Sequence, residues 1–225
     1  MDITVVGRKR ASVPPERATL RLVAGFESGD KGDCLNRTTS LVGKLSAHIQ
    51  ALEGAGVSPI TWYAVQPITT RSWRPYSDAG AVLPLRHAAS AVVKVTFRDF
   101  HALAQFAHQV GGSAGVSLEH VEWSLAEATR DQLVGEVLGQ AVADAADRAL
   151  TIARATGATA VRPLEVADPG LLSGVAPGGP GRGEGAGMAR AFAAVAPGPG
   201  EGIDLAPEDV VVEAEVHARF ATTGG

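Results

Sequence analysis

The longest helical pattern in this sequence covers residues 127 to 156, thirty residues without a proline. Small and aliphatic side chains recur there at intervals of three and four, the spacing of one face of an α-helix. At 1.5 Å per residue this helix is about 45 Å long, so the other elements must fold around it. Its apolar face is formed by Leu133, Val137, Ala141, Ala145 and Ala149 and is widened by Val134, Leu138 and Val142. Most of these side chains are small, and the helix also contains Gly135 and Gly139.

Bulk composition excludes several classes of protein. The net charge is -4 and the basic residues are scattered, which argues against a nucleic-acid-binding surface. A single cysteine excludes an intramolecular disulfide. No stretch approaches the roughly 20 apolar residues of a membrane span. The chain opens on an alternating strand pattern and not on a charged segment with an apolar core, so we expect a cytoplasmic protein.

The remaining patterns predict strands and two shorter helices in an α+β fold with antiparallel sheet. Strands are predicted over residues 3–6, 17–26, 60–68, 89–97, 116–125, 160–166 and 210–220. Helices are predicted over residues 30–52 and from an Asp99 cap to residue 110. Residues 69–86 read as a polar connector, and residues 168–206 as a flexible Gly/Pro-rich loop. The alternating terminal strands are expected to share one sheet.

The order of these patterns resembles that of the SIMPL-domain family, which includes bacterial oxidative-stress-defence and periplasmic immunogenic proteins. The resemblance rests on an opening ITVVG strand followed by Pro15-Glu16, a helix that ends in LEGAGVSP, and the strand-helix segment AVVKVTFRDFHALAQFAHQVG. It continues through VEWS and the alanine-rich helix to the last alternating strand. The chain departs from the family where Arg8-Lys9-Arg10 replaces a second glycine.

The resemblance implies two mixed α/β subdomains, assembly into homo-oligomers and a broad link to oxidative stress. Within a single domain over residues 1–225, we expect one subdomain from residues 1–70 with 127–225 and another from residues 87–125. The family supplies no established catalytic residue to carry over to this chain.

Familiar catalytic and ligand-binding patterns are weak here. His101 and His108 lie seven residues apart on one predicted helix, and His120 and Glu122 share a strand face, so surface positions are the favoured interpretation. The run GGPGRGEGAG at residues 178–187 lacks the Gly-Lys-Ser/Thr ending of a phosphate-binding loop. We therefore predict no catalytic, cofactor-binding or metal-binding residue, and no cofactor.

Cys34 is the one residue with a pattern for thiol chemistry. It lies near a predicted helix start beside Lys31, and both features lower a thiol pKa, whereas Asp30 and Asp33 oppose the effect. An inert thiol is the commoner outcome for a lone cysteine. The hypothesis is a peroxide-sensitive thiol, which an unchanged intact mass after mild peroxide would exclude.

Three classes of function remain open, of which the third, an adaptor for an unidentified protein partner, cannot be separated from the others by sequence. The favoured one is a non-enzymatic, self-associating scaffold or stress-related binding protein, because open strand edges must be covered and a second copy is one way to cover them. The alternative is a small-molecule-binding protein or enzyme with a cleft between the subdomains. That cleft or interface would be rimmed by Trp73, Tyr76, Arg86 and His87.

Overall fold

The computed structural model describes residues 1–54, 56–76, 80, 82–173 and 206–224. These residues form eight strands and three helices: β1 (Asp2–Val13), β2 (Arg17–Ser28), α1 (Lys31–Glu53), β3 (Ile60–Val65), β4 (Thr69–Trp73), β5 (Arg86–Phe97), α2 (Phe100–Gly111), β6 (Val116–Ser124), α3 (Glu127–Ala155), β7 (Ala160–Ala167) and β8 (Val210–Thr223). The α+β class predicted from the sequence is confirmed. No described helix has the length and apolar character needed to span a membrane.

The contacts divide the chain into two compact units. The described residues of the first unit are 1–14, 126–173 and 209–224, and those of the second unit lie within 15–125 and 206–208. Residues 15–70 were predicted to share a subdomain with the long helix, whereas the contacts place them in the other unit. The physical reason is strand pairing, because β2 and β3 hydrogen-bond to β5.

The first unit is a three-stranded antiparallel sheet of order β1-β8-β7, packed against α3. The terminal strands therefore share one sheet, as predicted. Alternate residues of β1 and β8 face the alanine stripe of the helix, as the two-residue period of a strand requires. The core consists of Ile3, Val5, Ala141, Ala145, Ala149, Ala153, Val216, Ala218 and Phe220.

Gly7 sets how closely α3 approaches this sheet. A Cβ atom at Gly7 would lie 2.0 Å from the Ala141 carbonyl oxygen and 2.7 Å from the Ala145 Cβ. Beside it, the Arg8 backbone N–H donates to the Asp144 carboxylate over 3.0 Å. The small residues of the helix and the missing side chain of Gly7 together permit this close contact.

A Schellman motif ends α3. The Gly157 N–H donates to the Arg154 carbonyl over 3.1 Å, and the Ala158 N–H donates to the Ala153 carbonyl over 3.0 Å. Gly157 has a φ of +89°, which a residue with a Cβ rarely adopts. The glycine stop predicted from the sequence is confirmed.

The second unit is a five-stranded antiparallel sheet covered by α1 and α2. Its strand order is β3-β5-β2-β6, and β4 pairs with the opposite end of β5 from β3. Asp30 caps α1 by accepting from the Asp33 N–H, and Asp99 caps α2 by accepting from the His101 and Ala102 N–H groups, so the predicted Asp99 cap is confirmed. The buried core is Ala18, Leu20, Leu22, Ala24, Leu45, Ile49, Ile60, Val93, Val95, Phe97, Leu103, Phe106, Ala107 and Val110.

Two details differ from the sequence-based expectation. The connector of residues 69–86 contains β4 and the first residue of β5, because its polar residues pair at a sheet edge where side chains remain exposed. On α3, Val134 and Leu138 are 43% and 40% exposed, so they do not widen the buried stripe. The Gly/Pro-rich loop falls mostly in residues 174–205, outside the described part of the chain.

Candidate functional site

The four residues predicted to rim a cleft or interface all lie on the β4–β5 hairpin of the second unit. Trp73 and Arg86 face each other across the two strands, and His87 is paired with Ser72. Tyr76 follows β4 and forms an isolated bridge with Val82. The structure thus brings these residues together by strand pairing, a relation that their separation in the sequence did not reveal.

Polar and ring contacts order the base of this hairpin. The His87 Nδ1 atom lies 2.8 Å from the Ser72 hydroxyl oxygen. The Arg71 guanidinium lies 4.5 Å from the centre of the Trp73 ring and 3.2 Å from the Glu27 carboxylate. The Arg71 guanidinium thus forms an ion pair with the Glu27 carboxylate and a cation–π contact with the Trp73 indole ring. These contacts order the base of the hairpin.

Cys34 of α1 contacts the β5 strand of the same hairpin. Its thiol donates to the His87 carbonyl over 3.1 Å, and the Thr38 hydroxyl, one helical turn later, donates to the Ala89 carbonyl over 3.1 Å. The two residues are 1% and 0% exposed. This geometry favours a structural contact between α1 and β5, and the peroxide sensitivity of Cys34 stays a prediction.

Beyond its base, the hairpin exposes a concentration of apolar side chains. We call the described residues 74–76, 80 and 82–85 the hairpin arm. The exposed fractions are 71% for Tyr76, 56% for Val82, 39% for Leu83 and 39% for Leu85. Exposed apolar residues are ordinary when scattered, but a contiguous group of them is typical of an interaction surface.

A second feature of this unit is a cavity of about 700 Å³ between α1 and the end of α2. We call it the α1 groove; its lining residues are Phe26, Asn36, Arg37, Ser40, Leu41, Lys44, Leu45, His48, Gln109, Val110, Ser113 and Ala114. Leu45 and Val110 in its floor are 4% and 3% exposed. The groove was not predicted from the sequence, because its lining comes from several segments of the chain; the polar residues at positions 37, 40, 44 and 48 on one side of α1 were the available signal.

Phe26 forms one wall of the α1 groove and has two close neighbours. The Arg37 guanidinium lies 4.1 Å from the centre of its ring. A Cβ atom at Gly115 would lie 2.5 Å from the same ring, and Gly115 has a φ of +85°. The wall of the groove therefore depends on a glycine for space and for backbone conformation.

The two carboxyl groups with a shifted pKa, Glu165 and Glu215, lie in the first unit. Hydrogen bonds from the Ser173 hydroxyl and backbone N–H hold the pKa of Glu165 below its ordinary value of 4.5, and the charge of Arg219 acts in the same direction. The Arg8 guanidinium, 2.7 Å from Glu215, lowers the pKa of that carboxyl, with a smaller contribution from His217. The Glu165–Arg219 pair joins β7 to β8, and the Arg8–Glu215 pair joins β1 to β8.

The remaining sites considered from the sequence are the histidines as metal ligands and the glycine-rich run as a phosphate-binding loop. His101, His108, His120 and Glu122 are exposed, as the surface interpretation expects. Among the described residues, no three His, Cys, Asp or Glu side chains are grouped to hold a metal ion. The glycine-rich run at residues 178–187 lies outside the described residues.

Comparison with known proteins agrees with the order of elements given above. A family model, SIMPL, described as "Protein of unknown function (DUF541)", matches residues 3–220. No curated protein matches the chain. The matched region extends from the first core residue of β1 to the last buried phenylalanine of β8. Because the match covers nearly the whole sequence, this chain belongs to the SIMPL family.

Proposed function

We propose that this SIMPL protein is a self-associating scaffold or binding protein, not an enzyme, and that copies of it contact each other through the hairpin arm. The observation that carries the proposal is the exposure of Tyr76, Val82, Leu83 and Leu85 within ten residues. Burial of apolar surface is the main favourable contribution to association, at about 25 cal/mol per Å². The resemblance to stress-defence proteins adds a stress-related role to the proposal.

Side-chain contact through the arm is favoured over addition of a strand to the three-stranded sheet. The β1 edge is partly occupied, because the Arg8 N–H is bonded to Asp144. The β7 edge contains Pro163, which has no N–H to donate, and its pairing with β8 is interrupted between Pro163 and Glu165. Such features reduce pairing of exposed sheet edges with another chain.

Light scattering of the full-length chain across about a hundredfold dilution tests this proposal, since mass action makes association depend on concentration. We expect a discrete multimer of the wild type. Joint replacement Tyr76→Ser, Leu83→Ser and Leu85→Ser removes apolar arm surface without touching a buried residue, so this variant is expected to shift to monomer. The matched control is Val57→Ser, at a residue 87% exposed elsewhere in the second unit.

Two results contradict the proposal. A wild-type protein that stays monomeric at every concentration excludes self-association. An arm variant that assembles as the wild type does excludes the hairpin arm as the contact. Circular dichroism of each variant shows whether the fold is retained, which separates lost contact from lost structure.

A further inference from the structure

We propose that the α1 groove binds a small amphipathic anion, a molecule in which a carboxylate, phosphate or sulfonate is joined to a flat apolar body. The volume of about 700 Å³ lies in the range of small-molecule sites. The groove lies wholly within the second unit and is separate from the hairpin arm. This binding site is independent of the proposed self-association.

The charged residues of the groove select for an anion. Lys44 and His48 lie one helical turn apart on α1, and Arg37 lies two turns before Lys44 on the same face. Among the described residues, no carboxylate belongs to the lining of the groove. Among the ion pairs of the described residues, Lys44 takes part in none, which leaves its ammonium group available to a ligand.

Two negative charges near the groove oppose the binding of an anion, but they are weaker than the positive charge of Arg37 and Lys44. Asp33 lies 3.6 Å from Arg37 and offsets part of its charge. The C-terminal end of α2, near Gln109 and Val110, contributes roughly half a negative charge. The full positive charge of Lys44 exceeds the second contribution, so the balance of charge at the groove stays positive.

The apolar floor selects for a ligand with a flat apolar body. Leu45 and Val110 are buried beneath the groove, and the Phe26 ring forms a wall whose position is set by Gly115 and Arg37. His48 is itself packed edge-on against Phe106, with ring centres 5.2 Å apart, so its imidazole is held in place. Neutral donors and acceptors from Asn36, Ser40, Gln109 and Ser113 complete the rim. Apolar walls with a few converging polar groups are typical of ligand sites.

Two dyes that differ by one charge test the proposal on the full chain. Anilinonaphthalene sulfonate carries an anion on an aromatic body, and phenylnaphthylamine is its neutral counterpart. Fluorescence titration is expected to show saturable binding of the sulfonate, weakened about fivefold by Lys44→Gln, since an exposed ion pair between the ligand and Lys44 is lost. Phenylnaphthylamine binding is expected to be unchanged by Lys44→Gln. The matched control is Lys31→Gln, on the same helix and outside the groove.

A blocking variant separates this groove from other apolar surfaces, including the hairpin arm. Ser40→Trp places a large side chain in the groove at an exposed position of α1, so both dyes are expected to lose most of their binding. Unchanged binding of both dyes to a folded Ser40→Trp variant overturns the proposal. An equal effect of Lys44→Gln on the charged and the neutral dye overturns its electrostatic part.

Discussion

A methyl group added to Gly7 has no space in this structure. The new Cβ would lie 2.0 Å from a backbone oxygen of α3, and backbone atoms move only if the whole helix shifts. Overpacking of this kind costs about 3 kcal/mol. We expect Gly7→Ala to lower the free energy of unfolding by that amount, measured by urea denaturation.

A glycine in open surroundings provides the control for Gly7→Ala. A Cβ atom at Gly29 would meet no atom within 4 Å, so Gly29→Ala is expected to change stability by less than about 0.5 kcal/mol. Equal effects of the two replacements would show that close contact between β1 and α3 does not determine the cost at Gly7.

At the scale of the element, α3 has two halves with different surroundings. Its C-terminal half carries Ala141, Ala145, Ala149 and Ala153, each 0% exposed against the sheet. In its N-terminal half, Cβ atoms at Gly135 and Gly139 would meet nothing within 4 Å. Small residues are thus required by packing in one half of the helix and not in the other.

The open half of α3 offers a stabilising replacement. Alanine is favoured over glycine in a helix interior by about 0.8 kcal/mol, because glycine loses more backbone freedom. We expect Gly135→Ala and Gly139→Ala each to raise the free energy of unfolding by about that amount in thermal or urea denaturation. Ala145→Val, which adds volume beside Gly7, is the contrasting variant and is expected to destabilise. A loss of stability with both glycine replacements would mean that these positions contact other residues.

At the scale of the whole molecule, two carboxylates make stability depend on pH. The pKa values of Glu165 and Glu215 are lower in the folded state than the ordinary value of 4.5. Their contribution is therefore fully present above about pH 4.5 and is lost as pH falls through the folded-state pKa values. Urea denaturation across that acid range is expected to show decreasing stability. Arg8→Ala is expected to reduce this dependence, because Arg8 is the main cause of the shift at Glu215.

Lys9→Ala is the matched control for the acid dependence. It removes a positive charge from the same strand, but Lys9 is paired in register with Ala214 and forms no ion pair among the described residues. We expect Lys9→Ala to retain the pH dependence of the wild type. The assignment to the Arg8–Glu215 pair is wrong if both variants lose it to the same degree.

The two candidate sites differ in how far they could be predicted from the sequence. Trp73, Tyr76, Arg86 and His87 were predicted to rim a cleft or interface; the structure places them on one hairpin, and their pairing across β4 and β5 was not foreseen. The α1 groove was missed because its lining comes from β2, α1, α2 and the turn before β6. When a site is formed by several segments, each segment contains only a few of its residues, so no single stretch of sequence shows the complete pattern.

Local chemistry determined most of the helices and strands of this protein from the sequence alone, β4 being the exception. The alanine stripe of α3, the Asp99 cap, the Gly157 stop and the alternation of β2 and β8 each depend on residues within a few positions of one another. Strand pairing, the division into two units near residue 14, the close approach at Gly7 and the hairpin arm were decided only by the tertiary structure. The reason is that β2 pairs with β5 and β6, which lie about 60 to 110 residues later in the chain, and a pattern of alternating side chains specifies which face is buried but not which strand becomes its neighbour.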